Sequence, residues 1–270
     1  MSSELTEVQN TQLGVLAAFI EGVLLQPTLY WKNARAMKLP FTINPRIIYR
    51  GTAASIFNEM QMMGLQFGIT GFFQKLFVGN STNKMSNGQT VYAAVLGGVI
   101  SANAASPVEL IMIQQQRYGG SFLGTPAKII KDYGWGLNGI LRGLFPTMVR
   151  DSIYVTGMLG VTPVVQDYLM EKHNQDQSTA SLVASIVGGV FGAVVSQPFD
   201  VLKTCMQGDV DQATYGTLVP AIKKVWSEGG VNRIFNGCFW RTVNIVGTVY
   251  IANECRNRLP PYMFGNKKIF

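Results

Sequence analysis

A proline, an acid and a base lie close together in the stretch SQPFDVLKTCMQ (196–207), which ends a long apolar segment. Pro198 lacks a backbone donor and kinks a helix, while Asp200 and Lys203 are three residues apart and share one helical face. Charges deep in a membrane are costly and by default mark a functional site. A surface helix with one ordinary ion pair is the alternative, which a single copy of the motif leaves open.

The same pattern occurs twice upstream, so the sequence contains an internal repeat. The earlier copies are LQPTLYWKNARA (25–36) and ASPVELIMIQQQ (105–116). After each copy comes a short signature that opens a second apolar segment: YRG (49–51), LRG (141–143) and FNG (235–237). Three copies of two helices predict six membrane spans, at residues 12–37, 52–77, 88–117, 144–170, 179–207 and 238–258.

The composition favours a membrane protein. The 270-residue chain is 47% apolar and only 14% charged, whereas soluble domains carry roughly a quarter charged residues. Its apolar segments are interrupted by small and polar residues, as expected of helices that pack on each other or line a wet cavity. We therefore predict an all-α membrane protein with three pseudo-symmetric repeats of two tilted transmembrane helices, at residues 1–80, 81–173 and 174–270.

Amphipathic stretches lie between the paired helices of repeats two and three. GTPAKIIKDYGW (124–135) and YGTLVPAIKKVWSEGG (215–230) are typical of short helices on a membrane surface. Repeat one has only the shorter segment MKLPFTINPRII (37–48) there. The stretch GWGLNG (134–139) formally matches a dinucleotide-binding fingerprint, but no strand precedes it, so we interpret it as a turn.

Several function classes are disfavoured by the residues present. Three cysteines without CxxC spacing and the single His173 argue against a metal site, a disulfide framework or histidine catalysis, so we expect no enzyme and no cofactor. The net charge of +7 suits anionic lipid better than nucleic acid, because no basic-aromatic recognition element accompanies it. The segment MSSELTEVQNTQ (1–12) does not resemble a secretory signal or a transit peptide, so targeting is expected to be internal.

Three proline motifs in register with six apolar segments resemble the mitochondrial carrier family. That family's signature is Pro-x-Asp/Glu-x-x-Lys/Arg at the end of each odd helix, with an aromatic-Lys/Arg-Gly element before each even helix. The resemblance covers essentially the whole chain. It implies a multi-pass protein of the mitochondrial inner membrane, antiport of a small molecule by alternating access, and cardiolipin as a bound lipid.

The resemblance also implies a gate on the matrix side, where the three kinked helices converge. Glu109 would pair with Lys203, and Asp200 with Lys32. Leu29 and Met112 stand where the third pair is expected, and losing both charges together leaves no buried charge unpaired. The implied gate residues are Pro27, Lys32, Pro107, Glu109, Pro198, Asp200 and Lys203, with Gln116 and Gln207 as braces.

The opposite gate matches the family poorly. The family places an aromatic residue, an acid and a base late in each even helix. The corresponding segments here are TGFFQKL (70–76), VTPVVQDYL (161–169) and NECRNRL (253–259), none of which fits properly. A carrier with a weak outer gate would tend to rest open toward the intermembrane space, or would not cycle.

Substrate contacts in the family lie seven and eight residues after the even-helix glycine. An Arg followed by an acid on the fourth helix resembles the amino-acid carriers, with the Arg on a carboxylate. Arg150 and Asp151 pairing with each other is the alternative. Glu21, about 20° around the helix from Lys32, should also face the pore. The implied substrate-binding residues are Arg150, Asp151, Asn58, Glu59, Asn244, Glu21 and Arg241.

Two functions remain open from the sequence. The first is solute transport across the inner membrane, of a small amino acid or another carboxylate metabolite. The mixed signs of the expected cavity disfavour nucleotides. The second is a carrier-fold protein that no longer transports and serves as a structural subunit of a larger inner-membrane complex, as the weak outer gate, the shortened first repeat and the lost third pair suggest.

Overall fold

A computed structural model describes residues 7–78 and 87–264, and in this part of the chain all regular structure is helical. The helices follow in chain order as α1 Glu7–Leu24, α2 Gln26–Ala36, α3 Pro45–Ile48, α4 Thr52–Val78, α5 Asn87–Tyr118, α6 Gly124–Tyr133, α7 Leu144–His173, α8 Gln177–Gly208, α9 Leu218–Ser227, α10 Gly230–Ile234, α11 Cys238–Arg258 and α12 Pro260–Phe264.

Each of the six predicted spans coincides with a long helix or, for the first, with the pair α1 and α2. Among the described residues, two helical stretches are long and apolar enough to cross a membrane, Val95–Tyr118 and Gln177–Gly208. The bent pair Gln12–Leu24 and Gln26–Ala36 is a third if it counts as one span. The remaining long helices carry polar groups in mid-helix, such as Arg150 and Asp151 in α7, which lowers their hydropathy.

The three motif prolines act differently on their helices. Pro27 lies in the first turn of α2, and the chain bends by 57° between α1 and α2. Pro107 and Pro198 instead lie inside α5 and α8, which continue through them. A proline in the first turn displaces no intrahelical hydrogen bond. The first motif therefore ends one helix and starts another, while the other two are accommodated within a single helix.

Three glycines each approach a motif helix of the next predicted repeat, in a cyclic order. Gly51, Gly143 and Gly237 each precede an even helix, with φ of +80°, +79° and +86°. A Cβ at Gly51 would lie 3.0 Å from Met112 O, and one at Gly237 only 2.7 Å from Lys32 O. At Gly143 the nearest atom would be a side-chain carbon of Gln207, at 2.8 Å. Each glycine thus lets its chain approach the end of a motif helix from another repeat.

Replacing Gly237 by alanine is expected to be more damaging than replacing Gly143. Both changes force an L side chain into a left-handed conformation, at about 1–2 kcal/mol. Only at Gly237 does the new methyl group meet backbone, which cannot turn away as Gln207 can, and this adds about 1–3 kcal/mol. Thermal unfolding of the purified variants measures the difference. Equal losses of stability would contradict this account.

The two predicted surface helices are present as α6 and α9, and repeat one has only the four-residue α3. Asn44 caps α3 by accepting a hydrogen bond from the Arg46 backbone N–H at 3.0 Å. Residues 134–139, which formally match a dinucleotide-binding fingerprint, form a turn in which Gly139 N donates a hydrogen bond to Gly136 O. These segments lie at the same end of the helices as the proline motifs.

Glu228 and its partners link α9 and α10 to the C-terminal end of α2. Its carboxylate contacts Lys38 Nζ at 2.8 Å and Arg233 Nε at 2.9 Å, and accepts a hydrogen bond from the Tyr215 hydroxyl. Arg233 is buried and also donates to Ala36 O at 2.7 Å. Burial raises the pKa of the Glu228 carboxyl, but the hydrogen bonds from Lys38, Arg233 and Tyr215 outweigh it and hold that pKa below its usual value.

Glu228→Gln is expected to destabilise the protein by about 1–3 kcal/mol at neutral pH, because it weakens charge-assisted hydrogen bonds. A carboxyl with a lowered folded-state pKa stabilises the fold above its unfolded pKa of about 4.3, and this contribution is lost as the pH falls through the folded-state value. The gap in melting temperature between wild type and variant should therefore shrink below about pH 4. A gap that is independent of pH would show that the carboxylate charge is not involved.

Candidate site: a buried charge network beneath a polar cavity

Both ion pairs implied by the family resemblance are present where the motif helices meet. Lys32 Nζ lies 3.0 Å from Asp200 Oδ2 and donates a hydrogen bond to Oδ1 at 3.3 Å. Lys203 Nζ lies 3.1 Å from Glu109 Oε2, at an angle outside that of a hydrogen bond. All four side chains are buried. They join α2 to α8 and α5 to α8.

Arg150 belongs to this network and is not a free cavity residue. Its guanidinium contacts Glu109 Oε1 at 2.8 Å, Asp151 Oδ1 at 2.6 Å and Asp200 Oδ1 at 3.3 Å. The alternative in which Arg150 and Asp151 pair with each other is therefore the arrangement seen. Three acids and three bases form one buried cluster of zero formal charge: Glu109, Asp151 and Asp200 with Lys32, Arg150 and Lys203. We call these six residues the charge network.

Arg150 points to the network because of its place in α7. Side chains in an α-helix lean toward the helix N-terminus, and α7 begins at Leu144, at the end of the helices where the motifs lie. A long arginine side chain therefore extends toward the acids of α5 and α8. Spacing along the sequence identified the position, but not the direction in which the guanidinium extends.

Leu29 and Met112 both lie in one apolar cluster. Met112 is buried, and Leu29 packs against the same cluster, which also contains Ile113 and Val108. Since neither position carries a charge, this part of the helix junction has no unpaired ion to neutralise. Packing takes the place of the third ion pair.

The two glutamines expected to brace the ion pairs are hydrogen-bonded elsewhere. Gln116 Oε1 accepts from Asn33 Nδ2 at 2.7 Å, and Gln207 Nε2 donates to Ser106 O at 3.2 Å. Both contacts cross between helices of different repeats. The glutamines therefore link the helix ends, and among the described residues neither forms a hydrogen bond to the charge network.

Arg241 has no ion-pair partner among the described residues. Its guanidinium donates to Ser196 Oγ at 2.8 Å and to Gln197 Oε1 at 3.2 Å, next to Pro198 in α8. Both partners are neutral, so the positive charge is not balanced by a contacting carboxylate. A guanidinium has five N–H donors, and two are used here. The other donors remain available to an anion.

The remaining predicted cavity residues lie along α1, α4 and α11. Asn244 Nδ2 donates to Thr28 Oγ1 at 2.9 Å. Glu21 accepts a hydrogen bond from Thr248 Oγ1 at 2.6 Å. Asn58 is buried with its Oδ1 unpartnered, and Glu59 makes no hydrogen bond or ion pair in the described part of the chain. Polar groups thus continue from the charge network toward the other end of the helices.

The three weak outer-gate segments are only partly described. Most side chains of residues 70–76, and those of residues 256 and 257, lie outside the described ones. In the third segment, Arg258 and Glu254 form an exposed ion pair within one helix. The expectation of a weak outer gate therefore stays a prediction.

Sequence comparisons bear on what such a site does. The family described as "Mitochondrial carrier protein" matches residues 174–252. A mitochondrial 2-oxodicarboxylate carrier 2 of Saccharomyces cerevisiae is 28% identical over 70% of this chain and 64% of its own length. A probable mitochondrial 2-oxodicarboxylate carrier of Dictyostelium discoideum is 26% identical over 77% of the chain and 72% of its own. Mitochondrial tricarboxylate transporter 1 of Mycosarcoma maydis is 26% identical, with 78% and 74% covered.

These relatives agree with the repeated motifs. The match covers somewhat less than two thirds of the first relative's length, and the identities are low throughout. All three relatives are named as carriers or transporters, which at the family level supports a transporter and not an enzyme. The family match over residues 174–252, the names of these relatives and the three proline motifs agree with one another: the chain is similar to mitochondrial carriers, in the manner of a divergent member of that family, and it has helices long enough to span a membrane.

Proposed function

We propose that the protein transports a small carboxylate metabolite across the inner membrane by alternating access. The observation that carries the proposal is a neutral, buried charge network with Arg241 beside it, a cation that forms no ion pair among the described residues. A closed network blocks passage at one end of the helices. An arginine without a contacting carboxylate, close to Pro198 of α8, offers a planar, two-pronged donor that suits a carboxylate.

The relatives support a carboxylate as cargo. Three of them are named for 2-oxodicarboxylates or tricarboxylates. Arg150 is less suited to bind cargo than we expected from the sequence, because three protein carboxylates already surround it. We therefore assign the cargo carboxylate to Arg241, with Asn244 one turn further along α11 as a second polar contact.

In this proposal the three two-helix repeats move relative to one another. The glycines Gly51, Gly143 and Gly237, with their close contacts between repeats, are the natural pivots. Opening the matrix end requires the ion pairs of the charge network to separate, and cargo binding above them offsets that cost. The repeats keep the sequence-based bounds of 1–80, 81–173 and 174–270, with cardiolipin as an expected lipid at the surface helices.

Reconstitution into liposomes tests transport directly. Purified protein should take up labelled 2-oxodicarboxylates or tricarboxylates in exchange for internal carboxylate, and it should leave nucleotides outside. Labelled amino acids belong in the same panel, because the sequence allows them. Uptake of none of these, together with stoichiometric co-purification in a larger inner-membrane complex, would overturn transport in favour of the structural role.

A further inference from the structure

A small cavity lies in the bend between α1 and α2. Its volume is about 10 Å³, and its lining residues are Glu21, Gly22, Leu25, Gln26, Leu29, Ser55, Glu59 and Asn244. A volume of this size corresponds to roughly one water molecule. It is too small for an organic ammonium group with its attached carbons.

Two carboxylates share this cavity without a contacting cation. Glu21 is buried, and its only hydrogen bond among the described residues comes from Thr248 Oγ1. Glu59 has neither a hydrogen-bond donor nor an ion-pair partner there. Glu21 is buried and Glu59 is partly buried, and two neighbouring carboxylates at a partly desolvated site repel each other when both are ionised. No cation contacts either carboxylate in the described part of the chain.

Gln26 shows independently that a donor is missing from the cavity. Its side chain is almost fully buried, and its Nε2 donates to Arg50 O at 3.1 Å, which fixes the amide orientation. Its Oε1 has no donor among the described residues. The cavity thus combines an unpartnered amide oxygen with two carboxylates, which is an excess of acceptors over donors. A protonated carboxyl group would supply one of the donors that these acceptors lack.

The charged and titratable groups on the surrounding helices do not fill this role. They are Lys32 on α2, Glu109 on α5, Arg150 and Tyr154 on α7, and Arg241 and Cys255 on α11. Lys32 and Arg150 are engaged in the charge network. Arg241 lies seven residues before Thr248, which is about 10 Å along the helix axis.

We propose that Glu21 and Glu59 form a proton-binding site. A proton taken from water binds one carboxylate and converts it to a neutral carboxylic acid. Its O–H then donates to the other carboxylate or to Gln26 Oε1. One proton removes the repulsion between the two acids and supplies the donor that the cavity lacks.

A proton-binding site at this position would couple the transport of the carboxylate to the transport of a proton. The coupling rests on the proposed function, whereas the proton-binding site does not. A cargo anion that contacts both Arg241 and Asn244 lies next to the cavity, because Asn244 lines it, and ionised glutamates there repel the anion. Protonation of one glutamate weakens that repulsion. The carboxylate and the proton are therefore expected to cross the membrane in the same direction.

Infrared spectroscopy of the purified protein detects the proton directly. The C=O stretch of a protonated carboxyl group should be present at mildly acidic pH and should disappear as the pH is raised. Glu59→Gln and Glu21→Gln should remove this band, and Glu171→Gln, at an exposed position, should leave it unchanged. If the Gln variants do not fold, Glu59→Asp should retain a shifted band. Absence of the band in wild type, or its survival in both Gln variants, would overturn the proposal.

A transport assay separates this proposal from the proposed function. In liposomes, a pH gradient with the acidic side facing the labelled carboxylate should increase uptake by wild type, and Glu59→Gln should lose that increase. If uptake by wild type does not change with the pH gradient, the proposed proton coupling is wrong, and the proposed transport function is unaffected. If the protein shows the infrared band but takes up no carboxylate, the proton-binding site is supported and the proposed transport function is overturned.

Discussion

Arg150→Met is expected to destabilise the protein by about 3–5 kcal/mol, the usual cost of removing one partner from a buried ion pair. The charge network would keep two bases for three acids, and Asp151 would lose its only ion-pair partner among the described residues. Unfolding of the detergent-purified protein by heat or denaturant measures the loss. Arg46→Met, at an exposed arginine, is the matched control and should change stability little.

The double variant Arg150→Met/Asp151→Asn shows whether charge balance is the cause. It removes one base and one acid together, so the remaining network is again neutral, with Glu109 on Lys203 and Asp200 on Lys32. Much of the lost stability should return. A double variant as unstable as Arg150→Met would contradict a balanced network, and an Arg150→Met protein of full stability would show that Arg150 is not part of one.

Arg241→Gln is expected to lower carboxylate uptake by about 10- to 150-fold, because a hydrogen bond to a charged group contributes about 1.5–3 kcal/mol. The glutamine can still bond to Ser196 and Gln197, so folding should be affected less than transport. Arg241→Lys keeps the charge without the planar fork and should retain part of the uptake. The comparison is the initial rate of uptake into liposomes at equal protein content.

Arg46→Gln is the control for this prediction, since Arg46 is exposed and lies in the short α3, outside the predicted gates and cavity. It should transport at the wild-type rate. Normal uptake by Arg241→Gln would contradict the assignment of the cargo carboxylate, and so would an equal loss in the Arg46 variant.

Much of the helical framework was predictable from the sequence, because its causes are local. Apolar segments of the right length, with Pro27 and three glycines at the starts of helices, define the helices within a residue or two at most ends. The spacing of Lys32, Glu109, Asp200 and Lys203 within three copies of one motif also indicated their partners through the family resemblance.

The composition of the charge network was less predictable. Arg150 and Arg241 both occupy cavity positions by spacing, yet the first is surrounded by protein carboxylates and the second is not. The difference depends on which acids of other helices lie within ion-pair distance of each guanidinium. Spacing along a single sequence does not give those distances. The backward lean of helical side chains could have indicated that Arg150 on α7 extends toward the motif end.

The role of the glutamines was missed for a similar reason. Gln116 and Gln207 lie at the expected positions, but their hydrogen bonds go to Asn33 and Ser106 on neighbouring helices. An amide side chain forms hydrogen bonds with the donors and acceptors within its reach. Which groups these are depends on how far each helix extends beyond its motif proline. Sequence spacing alone does not determine that distance.

The most direct test of this account is the melting temperature of the protein with and without a transported carboxylate. A ligand that binds only the folded state stabilises it by about 2.7 kcal/mol at a hundred times its Kd. We expect a clear upward shift for wild type and for Arg46→Gln, and little or none for Arg241→Gln. Equal shifts in wild type and Arg241→Gln would contradict it.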